Sequence, residues 1–147
     1  MLTNILVPTD GSKLSAKAVN AAIELAKLSN AGLVALHVYP RYPGSPYGTF
    51  EPARDVLEQA HERQAKANAD QLFADIRQKT EAEGLRFDSA LVESNAVWKQ
   101  IIAVARRKKC DLVCMASHGR RGVGALVLGS ETQKVLTHST LPVLVVR

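Results

Sequence analysis

Two short segments of this chain hold residue types suited to a phosphorylated ligand. The first is Pro8-Thr9-Asp10-Gly11-Ser12; the second runs from Ala116 to Ser130 and carries Gly119, Gly122, Gly124 and Gly129. Glycines let a backbone approach a ligand closely and turn several N–H groups toward one point. The second segment leads into a helical pattern at Ser130. A helix start offers free N–H groups and a dipole that favour an anion by about 0.3–1 kcal/mol. Arg120 and Arg121 add positive charge at the rim, and His118 lies in the same stretch. The segment is not a Walker loop, because no Gly-Lys-Ser/Thr follows the glycines. Its glycine spacing and its place in the chain also differ from the dinucleotide fingerprint. Spacing alone leaves an ordinary glycine-rich connection open.

Other reactive side chains have plainer readings. Asp10 also suits a helix start, and Ser130 with Gln133 three residues on matches a capping box. His37 falls in an apolar run and reads as a hydrogen-bonded core histidine, while Trp98 reads as packing. Glu131 beside a phosphate site is electrostatically awkward. Cys110 and Cys114, placed on a strand, lie ~13 Å apart, too far for a disulfide. No second Cys or His pair completes a zinc site. They read as buried free thiols.

These residues need elements to position them. Residues 4–8 form a short, continuous apolar run, the mark of a strand buried on both faces. From Ser12 the apolar period becomes helical, with Leu14, Ala18, Ala21, Ala22, Leu25 and Leu28 as its stripe. Asn30-Ala31-Gly32 ends that helix and residues 33–38 form a second strand. Strand, helix and strand in so short a span demand a parallel pair with a right-handed crossover. Residues 39–52, rich in Pro and Gly, form a loop on the ligand side of the sheet and are expected to act as a lid. A long helix follows over 53–82, with Leu57, Leu72, Phe73 and Ile76 inward. Residues 85–92 form a third strand, and Ser94 or Asn95 caps the next helix, whose stripe is Val97, Ile101, Val104 and Ala105. Residues 111–116 are the fourth strand, a short helix runs from Ser130 to His138, and 142–146 are the last strand. The alternation makes one α/β domain over residues 1–147.

The length, 147 residues, suits one domain that folds without disulfides or a structural metal. The N-terminus lacks the pattern of a signal peptide, and no apolar run approaches the ~20 residues that span a bilayer. A soluble, cytoplasmic protein is expected. The formal charge of +5 would suit nucleic acid. However, no aromatic residues interleave with the basic run 106–109 and no nucleic-acid-reading motif is present. That run reads as the last turn of a helix, where cations complement the dipole.

The stretch from Met115 through Ser117-His118-Gly119-Arg120-Arg121-Gly122 to Leu128-Gly129-Ser130, closing with residues 141–147, resembles the C-terminal signature of universal stress proteins. The opening Ile5-Leu6-Val7-Pro8-Thr9-Asp10-Gly11-Ser12 is similar to that family's first strand and turn, so the resemblance covers the whole chain. It implies a doubly wound, five-stranded parallel sheet, flavodoxin-like and adenine-nucleotide-hydrolase-like, in the order 3-2-1-4-5. ATP-binding members carry G-x-x-G, nine residues, then G-S or G-T. Gly119, Gly129 and Ser130 match that pattern, and Ala116 stands where the first glycine would be. Carried over by position, the resemblance implies Pro8, Thr9 and Asp10 around adenine and ribose, with Asp10 near the ribose hydroxyls or a metal. Val38 would contact adenine. Met115, Ala116 and Gly119 would border ribose and phosphates, with His118 and Glu131 beside them, and Gly129 and Ser130 would bind phosphate. The implied cofactor is ATP with Mg or Mn.

The expected function is adenine-nucleotide binding in a regulatory role, with at most slow hydrolysis, because no positioned base stands out. The last strand, short and apolar at the sheet edge, is expected to pair two copies as a homodimer. Two alternatives remain open: a homodimer that binds no nucleotide and acts through protein contacts, and an enzyme that cleaves ATP or transfers a nucleotidyl group.

Overall fold

A computed structural model describes residues 1–44, 48, 50–119 and 128–147. Its elements alternate: β1 (Asn4–Pro8), α1 (Lys13–Ser29), β2 (Gly32–Tyr39), α2 (Glu51–Ala82), β3 (Phe87–Glu93), α3 (Val97–Arg107), β4 (Leu112–Ala116), α4 (Ser130–His138) and β5 (Val143–Val146). The strands make one sheet in the order β3-β2-β1-β4-β5, parallel at every pairing. The chain builds outward from β1 to β3, then returns to the far side of β1 with β4. Strand order therefore reverses between β1 and β4, and a crevice opens there at the carboxyl ends of the strands.

Strand alternation assigns side chains to two core layers. Ile5, Val7, Leu33, Ala35, Cys114 and Ala116 pack with α1 and α2 residues such as Val19, Ala22, Phe73 and Ile76. Leu6, Val34, Leu36, Val113 and Met115 pack on the other face with Ile101, Val104 and Val135 from α3 and α4. Both faces of β1 are thus covered, which is why its run is apolar without alternation.

Several boundaries differ from the sequence reading, each for a local reason. α2 starts at Glu51 rather than residue 53, because Pro52 is tolerated in a first turn, where its missing N–H has no helical partner to lose. β3 starts at Phe87 rather than residue 85, since the Leu85 N–H is drawn back to the Thr80 carbonyl of the α2 terminus. β4 and β5 each begin one residue later than expected. Neither Ser94 nor Asn95 caps α3. Ala96 holds that position, the Ser94 hydroxyl accepts the Ala96 N–H, and Asn95 accepts the Arg41 N–H. The α1 stripe is rotated by about one residue: Ser15, Ala18, Val19, Ala22, Ile23 and Ala26 are buried, and Leu28 is 86% exposed. Asn30, in the left-handed region at φ 54°, ends that helix. The cysteines are free and buried, and burial pushes both thiols up to about 11, so they are protonated at neutral pH.

Candidate functional site

The turn after β1 is fastened from several sides. The Thr9 N–H donates to the Leu36 carbonyl at 2.8 Å, and the Thr9 carbonyl accepts from His37 Nδ1 at 2.8 Å. That bond fixes the Nδ1–H tautomer of His37 and gives this half-buried histidine its structural reason. The Thr9 hydroxyl is buried, 3.0 Å from the Ser15 hydroxyl, and it accepts the Gly11 N–H at 3.3 Å. Gly11 itself has φ 77°, where only glycine is unstrained. Ser12 caps α1 by accepting the Ser15 N–H. Asp10 Oδ1 accepts the Ser12 N–H at 2.9 Å, which aims the second carboxylate oxygen across the sheet toward β4.

There it meets the second segment. A Cβ built on Gly119 would stand 2.7 Å from Asp10 Oδ2, so the carboxylate lies directly against that glycine. The glycine is required by close approach, and the two loops singled out in the sequence adjoin at this point. The second segment is also closed at its stem. The Ser117 N–H donates to the Val146 carbonyl, and the Gly129 N–H donates to the Ser117 carbonyl at 2.7 Å. A Cβ on Gly129 would meet His118 Cα and the Ser117 carbonyl oxygen, each at 3.1 Å. Gly129 has an ordinary φ of −62°, so contact with residues 117–118, and not backbone angle, excludes a side chain there.

α4 begins immediately beyond. Its cap residue is Gly129, with no side-chain cap, and Ser130 is the exposed first helical residue. The expected capping box is therefore absent. Gln133 reaches back to the Leu128 carbonyl at 3.1 Å instead. A glycine-capped helix start leaves its first N–H groups without a side-chain acceptor, which suits an anion. Thr132 donates its hydroxyl to the Ala116 carbonyl at 3.0 Å and ties the first turn of α4 to the end of β4.

Asp10 and Gly119 meet at the crevice, and Gly129, held against Ser117 and His118, brings the start of α4 to the stem of the same segment. Pro8 closes β1 beside them, half-buried, and His118 is half-buried at the stem. The other expected residues have the following surroundings. Met115 is buried in the core under α3 and α4, with Val38 packed against that cluster at the end of β2. The Ala116 methyl lies in the opposite core, under α1. Glu131 Oε2 accepts the Trp98 N–H of α3 at 2.8 Å, and its Oε1 lies 3.5 Å from Lys134 Nζ. Arg120, Arg121, Gly122 and Gly124 lie outside the described residues. Ser15, Ser117 and Thr132 were missed. The signal for Ser15 and Thr132 was a polar residue on the inward stripe of a helix's first turn. Among the described residues no three His, Cys, Asp or Glu side chains converge on a common point.

The family model for universal stress proteins matches residues 1–147. The chain belongs to the universal stress protein family. It is 33% identical to a universal stress protein of Thermus aquaticus over 151 aligned positions, covering all of both chains. A solved universal stress protein of Methanocaldococcus jannaschii superposes with a TM-score of 0.83 at 24% identity, covering 98% of this chain and 94% of the other. Two further solved members are described as complexes, one with cAMP and one, from Archaeoglobus fulgidus, with dAMP. Their TM-scores are 0.70 and 0.65 at 22% and 17% identity, covering 99% of this chain and 97% and 98% of theirs. At these identities the likeness of the solved structures shows a shared fold. Among the described residues, no helix is long and apolar enough to cross a membrane.

Proposed function

We propose that this universal stress protein binds an adenine nucleotide, ATP with Mg²⁺ or Mn²⁺ in the form expected from its sequence, in the crevice between β1 and β4. The observation that carries the reading is the contact of Asp10 with Gly119, beside the glycine-capped start of α4. A carboxylate that can accept hydroxyl donors from a ribose thus stands next to an anion-favouring helix start, the two polar demands of a nucleotide. That other members are described as complexes with cAMP and dAMP supports the adenine part of the reading. The role assigned with it is regulatory or signalling, in the cytoplasm, with at most slow hydrolysis. The Ala116 methyl, packed into the core under α1, does not argue against a ligand at this end of β4. The test is calorimetry with ATP, ADP, AMP and cAMP, alongside chromatography of nucleotide released from freshly purified, denatured protein. Saturable binding of at least one of them is expected. No heat up to about 1 mM, the affinity worth about −4 kcal/mol, together with no released nucleotide, would leave the non-binding homodimer as the better reading.

A further inference from the structure

α3 receives no cap from its own sequence. Ala96 precedes it without a side-chain bond, and its first turn contains no acidic residue. The Trp98 N–H donates instead to Glu131, in the first turn of α4. The Trp98 ring lies against the ring of His138 with centroids 4.5 Å apart, and His138 is the last residue of α4. Both ends of α4 therefore engage one residue of α3. A helix of nine residues is marginal by itself, and tertiary contacts must fix its direction. The contacts fixing this one are the buried Val135, the Thr132–Ala116 bond and the two engagements of Trp98. The carboxylate of Glu131 is placed against the positive end of α3, and Lys134 Nζ lies 3.5 Å from its other oxygen; both offset the charge it would otherwise present to an anion at the start of α4.

We propose that Glu131 is a positioning residue for the anion site at the start of α4, acting through the Trp98 N–H and not by touching the ligand. This rests on the nucleotide reading and replaces the expectation that Glu131 contacts the ligand itself. Occupancy of the site and the setting of α3 are then linked through Trp98, the chain's one tryptophan. Its emission reports the clamp with or without ligand.

The experiment uses Glu131→Ala and Glu131→Gln in the full chain, with ATP and inorganic pyrophosphate as probes. Without ligand, Glu131→Ala should shift Trp98 emission to the red and speed exchange of the Trp98 amide. It should also weaken ATP binding by about fivefold, equivalent to about 1 kcal/mol. Glu131→Gln keeps a carbonyl acceptor without the charge and should restore emission, exchange and affinity to within about twofold. Tighter binding of ATP and pyrophosphate in both variants would show a carboxylate facing the ligand and overturn the proposal. Weaker binding in both variants with unchanged ligand-free emission would show direct contact, and overturn it too. If the wild type binds neither probe while ligand-free emission shifts as expected, the nucleotide reading falls, and the anion-site role of Glu131 falls with it. Unchanged ligand-free emission and exchange in Glu131→Ala, with wild-type ATP affinity, would sink the positioning role alone.

Discussion

The residues that matter most are held by specific contacts, and their side chains have little freedom. Asp10 cannot swing from Gly119 without giving up the Ser12 N–H that its other oxygen accepts. Gly119→Ala should therefore destabilise the protein by about 1 kcal/mol through that collision. In an Asp10→Ala background, where the oxygen is gone, the same change should be nearly neutral. The coupling, read from urea unfolding of the two single variants and the double, should be about 1 kcal/mol. Additive effects would mean that Asp10 does not press on Gly119 in solution. The sequence marked both residues by type, yet it assigned Asp10 to a ligand or a helix start without showing that it also joins two loops. It gave Glu131 no comfortable role, because its partner Trp98 N–H belongs to a helix 33 positions away.

At the scale of elements, α2 is divided. Ala69, Phe73, Ile76 and Thr80 are buried along its second half. In the first half the larger apolar side chains face outward, with Val56 61% and Leu57 41% exposed. The sequence reading placed Leu57 inward; on a straight helix it lies about 160° from Phe73 and about 100° from Ile76, off the buried stripe. His61, in the first half of α2, has its Nε2 bonded to the Pro40 carbonyl at 2.7 Å and its ring set between Tyr39 and Tyr42. Helical protection depends on tertiary packing more than on propensity. Amides of residues 54–60 should accordingly exchange at least about tenfold faster than those of residues 69–80, measured by native-state hydrogen exchange. Uniform protection along the helix would show that the first half is covered in solution. The expected lid falls on residues 39–52, of which 45–47 and 49 lie outside the described residues, and Tyr39 closes β2 instead of opening the loop.

For the whole molecule, the sheet has one short terminal strand whose outer edge no other strand covers among the described residues. Among the described residues β5 pairs with β4 alone, and Leu144 in it is 38% exposed. Such an edge presents unpaired N–H and C=O groups to another chain. The proposed homodimer pairs two β5 strands antiparallel about a two-fold axis, giving a closed, isologous contact. Val145→Lys would place a charge in that contact, and sedimentation velocity should then show a monomer where the parent sediments as a dimer. A Val145→Lys protein still dimeric at the same concentration would put the interface on another face.

Sequence alone determined the order of elements and the family. Runs such as Ile5-Leu6-Val7 and the motifs around Asp10 and Gly119 to Ser130 are local patterns, set by neighbours a few positions away. Strand order β3-β2-β1-β4-β5 followed from those patterns only with the family resemblance, and the parallel pairings agree with it. Tertiary structure decided how the candidate site is built. Asp10 meets Gly119 because β1 and β4 are adjacent at the reversal, Gly129 is held against Ser117 and His118 by backbone contact, and Glu131 completes α3 from α4. Those contacts join positions far apart in the chain, and their directions depend on how helices seat on the sheet, which residue type and spacing do not encode.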